Sequence, residues 1–166
     1  MQVLFIPKEG VALYQELLSS ETSRDALRFY LPVKTPAGVQ ISMASLGSAL
    51  SLASDLRWYV RRYMRDVLFE ISDGVYCTRA LAQEIYYGRL AVLHTPWKFR
   101  KTCTFQAGQM ISEDRISVDA GRAQAIFGTA MGETVVLEVW CTEEEFLGQK
   151  RSDEKGDEVG DDITSL

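Results

Sequence analysis

Histidine is almost absent from this chain: His94 stands alone among 166 residues. Zinc sites draw about four ligands from clustered His, Cys and carboxylate groups. The three cysteines, Cys77, Cys103 and Cys141, are odd in number, widely spaced and free of any C-x-x-C. Each sits among apolar or aromatic neighbours, the setting of reduced, buried thiols rather than of a metal or redox centre. No metal and no cofactor are therefore expected. A hydrolytic triad needs a nucleophile, a base and an orienting acid within reach. No G-x-S-x-G occurs, and His94, between Leu93 and Thr95-Pro96, reads as a strand-end histidine. A phosphate-cradling loop is missing too, because no Lys-Ser/Thr follows the widely spaced Gly121 and Gly128. The neighbouring carboxylates Glu113-Asp114 and Glu143 to Glu145 fall in polar connectors. They read as solvated faces rather than as a glycosidase pair held across a cleft. No catalytic residue is assigned, and a non-enzymatic protein is expected.

Long apolar runs are also missing. The longest weakly polar stretch, Ile41 to Leu56, is interrupted by five serines and an aspartate, and a bilayer span needs about 20 apolar residues. Met1 to Ile6 is apolar but has no basic leader and soon meets Pro7, Lys8 and Glu9, too short for a secretory signal. A cytoplasmic protein is the expectation. Apolar residues make up 46% of the chain and charged residues 25%, a balance that suits a folded domain and excludes disorder throughout.

Charge is informative by region. The net charge is −5, yet Arg57 to Lys101 holds nine Lys or Arg against four acids, whereas Thr142 to Leu166 holds nine acids against three bases. Such asymmetry points to an anionic partner for the middle and a solvated acidic tail.

Hydrophobic periodicity supplies the elements. Met1 to Ile6 reads as a strand ended by Pro7 and Gly10, and Val11 to Leu18 as a short helix followed by a polar connector from Ser19 to Asp25. Leu27 to Lys34 looks extended. Thr35-Pro36-Ala37-Gly38 is a turn, and Val39, Ile41 and Met43 alternate with polar residues, so a hairpin is expected across 27–43. From Ser45, a plausible N-cap, to about Asp66 the apolar residues step by three and four, which predicts one long helix. Val67 to Ile71 is β-prone, Asp73-Gly74 a turn, and Ala80 to Tyr87 a helix stopped by Gly88. Strands are expected at Leu90 to Leu93, Lys98 to Phe105, Ile116 to Val118, Ala123 to Phe127 and Thr134 to Cys141. In the second of these, Phe99 and Phe105 would face the core while Lys98, Arg100 and Thr102 face out. The expected fold is α+β. A single compact domain over 1–148 would pack a mostly antiparallel sheet against one long and one or two short helices. A disordered acidic tail would follow over 149–166.

The positive chemical signal lies late in the long helix. Arg57, Arg61 and Arg65 recur every four residues and so share a face, bordered by Trp58 and Arg62. Guanidinium groups pair with phosphate in a forked geometry, and adjacent aromatic rings can stack on bases or lie at the headgroup level of a membrane. Trp97-Lys98-Phe99-Arg100-Lys101 is a second basic aromatic group. The expected binding surface is thus Arg57, Trp58, Arg61, Arg62, Arg65, Lys98, Arg100 and Lys101. The final Thr164-Ser165-Leu166 matches a minimal PDZ ligand, so a tail-binding protein is a further conceivable partner. A small cytoplasmic adaptor, binding through its tail or a sheet edge, is the competing expectation.

Segment order adds a resemblance. Arg28-Phe29-Tyr30-Leu31-Pro32-Val33-Lys34 followed by Val39 to Ser42 is one segment. The helix through Leu56-Arg57-Trp58-Tyr59, the strand Leu68 to Ile71, Trp97 to Gln106 and the strand Thr134 to Val139 follow in turn. Together they resemble the rhabdovirus matrix proteins, in the small form of plant-infecting members. The resemblance implies a structural protein of the virion and host cytoplasm that self-associates. Its implied partners are a viral nucleoprotein–RNA complex and an anionic membrane surface, to which it would be peripheral. Proline-rich budding motifs of animal-infecting members have no counterpart here, so attachment would rest on residues of the folded surface.

Overall fold

The computed structural model describes residues 1–88, 97–117 and 134–148. Chain order begins with strand β1 (Gln2–Pro7), helices α1 (Leu13–Ser19) and α2 (Glu21–Ala26), and the hairpin β2 (Val33–Thr35) and β3 (Gly38–Ser42). Helices α3 (Leu46–Asp55) and α4 (Arg57–Tyr63), strands β4 (Met64–Ser72) and β5 (Val75–Thr78), and helix α5 (Arg79–Gly88) follow. Strands β6 (Arg100–Gln106), β7 (Gln109–Arg115) and β8 (Thr134–Trp140) lead to helix α6 (Glu143–Leu147). The strands form one eight-stranded sheet in the order β2-β3-β1-β4-β5-β8-β6-β7. Every junction is antiparallel except β5–β8. The fold is α+β, as the composition and periodicity lead one to expect.

Alternation assigns the two faces of this sheet. Val3, Phe5, Val39, Ile41, Val67 and Phe69 point to one side, where Leu13, Leu17, Leu52 and Leu81 of the helices, with Leu56 between α3 and α4, cover them. Leu4, Ile6 and Leu68 point to the other, where they meet Cys103 and Phe105 of β6 and Leu137 and Val139 of β8. Among the described residues no helix contributes to this second cluster. The sheet instead curls, and the β6–β7 hairpin rolls back across β1. At its turn the Gly108 N–H donates to Pro36 O at 2.9 Å, and Gln109 Nε2 donates to Val11 O at 3.4 Å. Side chains at the far end of the sheet thereby fill an interior with those of its first strand. Burying a residue such as Phe or Leu in this way contributes about 1.5–3 kcal/mol.

Several sequence expectations shift here. The helix expected over Ser45 to Asp66 is two helices. Ser45 caps the first, its Oγ accepting from the Ser48 N–H at 3.2 Å in a capping box. Leu56, fully buried, then interrupts the helix with φ −95° and ψ 16°. Helix α4 stops at Tyr63 because Met64 is already paired with Pro7 in the sheet. Arg65 therefore lies on β4, not on the helix. The connector after α1 contains α2, held by the buried Ser23 hydroxyl donating to Leu17 O. Of the extended segment 27–34 only Val33 and Lys34 enter β2, together with Thr35. Glu113 and Asp114 stand on β7, and Glu143 to Glu145 open α6, instead of lying in connectors. The strands expected at 90–93 and 123–127, His94 and the tail 149–166 lie outside the described residues, as does the end of the strand expected at 116–118.

The β6–β7 turn carries one conformational misfit. Ala107 and Gly108 have φ of 52° and 80°, the positive pair that a two-residue hairpin turn of type I′ requires. Gly108 meets this freely, but an alanine in the left-handed region crowds its own Cβ. Ala107→Asn should raise unfolding stability by roughly 0.5–1 kcal/mol. Urea denaturation would show it as a higher midpoint with an unchanged slope.

Candidate polyanion-binding surface

Helix α4 is built from one apolar and one basic side. Tyr59 is buried, and Val60 and Tyr63 pack partly against the helix-covered core. The Tyr59 hydroxyl meets Ser20 Oγ at the α1–α2 junction. What remains outward is Arg57, Trp58, Arg61 and Arg62, all exposed, at positions i, i+1, i+4 and i+5 of one helical face. Trp58 is 57% exposed. Its ring packs edge-on against Tyr59 and Tyr63, with centroids 5.0 and 5.8 Å away. The Arg62 guanidinium lies 5.7 Å from the Trp58 centroid and 5.6 Å from that of Tyr63. Such stacking holds a guanidinium in place without neutralising it. Among the described residues no ion pair engages Arg57 or Arg62.

Two cations that spacing does not reveal join this face. Lys8, just past β1, donates its Nζ to Arg61 O at 2.6 Å, which places an ammonium at the carboxyl end of α4. Arg79, at the start of α5, donates to Ser54 Oγ at 3.4 Å. Burial, and next the positive charge of Arg61, pull the Arg79 pKa below its ordinary value. That second cause marks the two guanidinium groups as neighbours. Lys8 and Arg79 lie 71 positions apart in the chain, and only the fold brings both to α4.

The second basic group does not assemble as expected. Lys98 is exposed. Arg100, expected to face solvent, is 2% exposed, and its Nη1 reaches Glu138 Oε1 at 3.3 Å. Glu138 is equally buried, and the same oxygen accepts from Trp140 Nε1 at 3.0 Å. The reason is register. Arg100 lies opposite Trp140 on β8, which puts it on the sheet face that Glu138 shares. Lys101 is tied to Glu113 at 2.8 Å, and Arg65 approaches the same carboxylate at 3.9 Å. Three of the eight expected surface cations and rings are thus engaged by carboxylates within the protein.

Near this seam sits Asp66. Burial pushes its carboxyl up to about 7; the charges of Glu145 and Glu113 add to the rise, while the Val67 N–H, 2.8 Å away, and Lys101 oppose it. Burial likewise pushes the thiols of Cys103 and Cys141 up to about 12 and that of Cys77 higher still. Thiols held neutral in this way are poor nucleophiles and poor metal ligands. No group of three or more His, Cys, Asp or Glu among the described residues is arranged to hold a metal ion. A half-open cleft of about 310 Å³ lies between the chain after β1, the β2–β3 hairpin and the β6–β7 turn. Among the described residues that line it, Lys34 is the only Lys, Arg, Asp or Glu.

Two consequences can be measured. A carboxyl raised on folding favours the protonated chain, so the stability from Asp66 is complete below about pH 4 and lost as pH rises towards 7. The loss has a limiting slope of about 1.4 kcal/mol per pH unit. Asp66→Asn should flatten the fall in melting temperature between pH 4 and 7 and raise it at pH 8. An unchanged profile would contradict the assignment. Glu138→Ala would leave Arg100 without its buried carboxylate and should cost about 3–5 kcal/mol in chemical denaturation.

No curated protein and no solved structure matches the chain. Residues 1–100 match a protein-family model described as a family of unknown function, DUF5804. That span includes α4, Lys8 and Arg79 and ends at the first residue of β6. With more than half of its length matched, the chain belongs to the DUF5804 family.

Proposed function

We propose that the protein is a non-catalytic binding protein that holds a polyanionic partner against the outward face of α4. The observation that carries this reading is the gathering of Arg57, Arg61 and Arg62 beside an exposed Trp58 on α4, with Lys8 and Arg79 next to Arg61. Arginine stacked on an indole ring is preorganised to receive phosphate oxygens, since little side-chain entropy is left to lose. The neighbouring ring offers a flat apolar surface to the same partner. In its most specific form, drawn from the segment resemblance, the reading is a matrix-type structural protein. It would self-associate and link a viral nucleoprotein–RNA complex to a membrane, working in the host cytoplasm and the virion. That form rests on the resemblance alone, whereas the polyanion reading rests on α4.

Binding of fluorescently labelled single-stranded RNA, and of vesicles containing phosphatidylserine, tests the reading across a salt series. The parent protein should bind at least one of them, with affinity falling steeply as salt rises. The combined Arg57→Ala, Arg61→Ala and Arg62→Ala variant should bind at least tenfold more weakly. For RNA it should also lower the log–log salt slope by about 2. Salt-insensitive binding, or equal binding by the variant, would overturn the reading.

A further inference from the structure

Apolar side chains are buried through most of the sheet, but the segment joining α2 to β2 does the opposite. Phe29 is 85% exposed, Leu31 87% and Val33 55%. They alternate along the chain, while Tyr30 between them turns inward to pack against the helix-covered core. Tyr30 thus anchors a tip whose other side chains stand clear of the surface. Charge surrounds this tip. Arg24, Arg28, Lys34 and Asp25 are all exposed, so bases outnumber acids by three to one from 24 to 34. The Arg28 guanidinium lies 5.3 Å from the Phe29 ring centroid.

Edge pairing does not explain the exposure. Strand β2 is the sheet's edge, yet it is three residues long, Pro32 just before it has no N–H, and Lys34 sits within it. Those are the features that blunt an edge against strand addition. Nucleic acid does not explain it either. Phe29 could stack on a base, but Leu31 and Val33 have no π face to offer. A protein acceptor would need a preformed pocket for each protruding side chain. A fluid acceptor needs none, and an apolar tip ringed by arginine and lysine is the pattern that anionic lipid headgroups and the underlying acyl chains jointly satisfy.

We propose that Phe29, Leu31 and Val33 form a wedge that enters the headgroup–acyl boundary of an anionic bilayer, with Arg24, Arg28 and Lys34 on the headgroups. This rests on the polyanion reading above and assigns its partner as a lipid surface. Among the described residues no helix is long and apolar enough to cross a membrane.

The buried native thiols allow selective labelling of an introduced cysteine. Leu31→Cys carrying an environment-sensitive fluorophore should shift to the blue on vesicles with about 30% phosphatidylserine and be quenched by lipids spin-labelled near the headgroup. The same label at Ser72→Cys, an exposed position at the end of β4, should respond to neither. The combined Phe29→Ser and Leu31→Ser variant should lose at least tenfold in vesicle binding and keep the parent's RNA binding. Vesicle binding with a silent label at 31 and an unaffected double variant would overturn the wedge and leave the α4 reading standing. RNA binding without vesicle binding would overturn it too, again without touching α4. Should the double substitution instead convert a lipid-free dimer to a monomer in light scattering, the tip is an interface between copies and the proposal is wrong. Failure of the parent to bind any polyanion would sink both readings together.

Discussion

Strand β1 is apolar on both sides, and the molecule is arranged around that constraint. Val3 and Phe5 need cover on one face, Leu4 and Ile6 on the other. Helices supply the first cover. The second comes from the sheet itself, which curls until the β6–β7 hairpin crosses β1. Rolling up has an electrostatic result: it carries Lys101 and Glu113 over to Arg65 on β4. The cations of the central third are thereby divided. Arg65, Arg100 and Lys101, on strands, meet carboxylates of the protein, whereas Arg57, Arg61 and Arg62 on α4 stay exposed.

Division of this kind separates nearness in sequence from nearness in space. Lys98, Arg100 and Lys101 are close neighbours in the chain, yet one is exposed, one is buried against Glu138 and one is held by Glu113. Successive strand residues point to opposite faces, so a basic run on a strand cannot act as one patch. On a short helix, by contrast, Arg57, Arg61 and Arg62 stay together because the helical repeat returns them to one side. The exposed basic surface follows secondary-structure type more closely than it follows charge density along the chain.

The same logic marks what was legible. The turn at Thr35 to Gly38, the Ser45 cap, the helix ending at Gly88 and the alternating strand β8 all carry local signals, and the fold places them as expected. The α4–β4 boundary was hidden because Tyr63 and Val67 satisfy both a helical step of four and a strand's alternation with Met64 and Leu68. Helix α2 is polar throughout and rests on Ser23, a tertiary contact with no periodic trace. Strand β7 has exposed charges on an edge, where no apolar pattern is required. Of the surface, the four α4 residues could be read from spacing. Lys8 and Arg79 could not, since nothing local distinguishes them from solvated cations. Arg100 was misplaced because only register reveals that Glu138 lies beside it.

The one parallel junction has a consequence for how the chain reaches this state. Strand β8, last in sequence, lies between β5 and β6. Among the described residues the β6–β7 hairpin is paired into the sheet through a strand synthesised after it. Until residue 140 has left the ribosome, the cover over Leu4, Ile6 and Leu68 lacks Leu137 and Val139. Closure over such sequence separation is slow relative to local hairpin formation. During that interval the nascent chain exposes the surface most prone to sticking to other chains. A product truncated before β8 would lack that part of the interior.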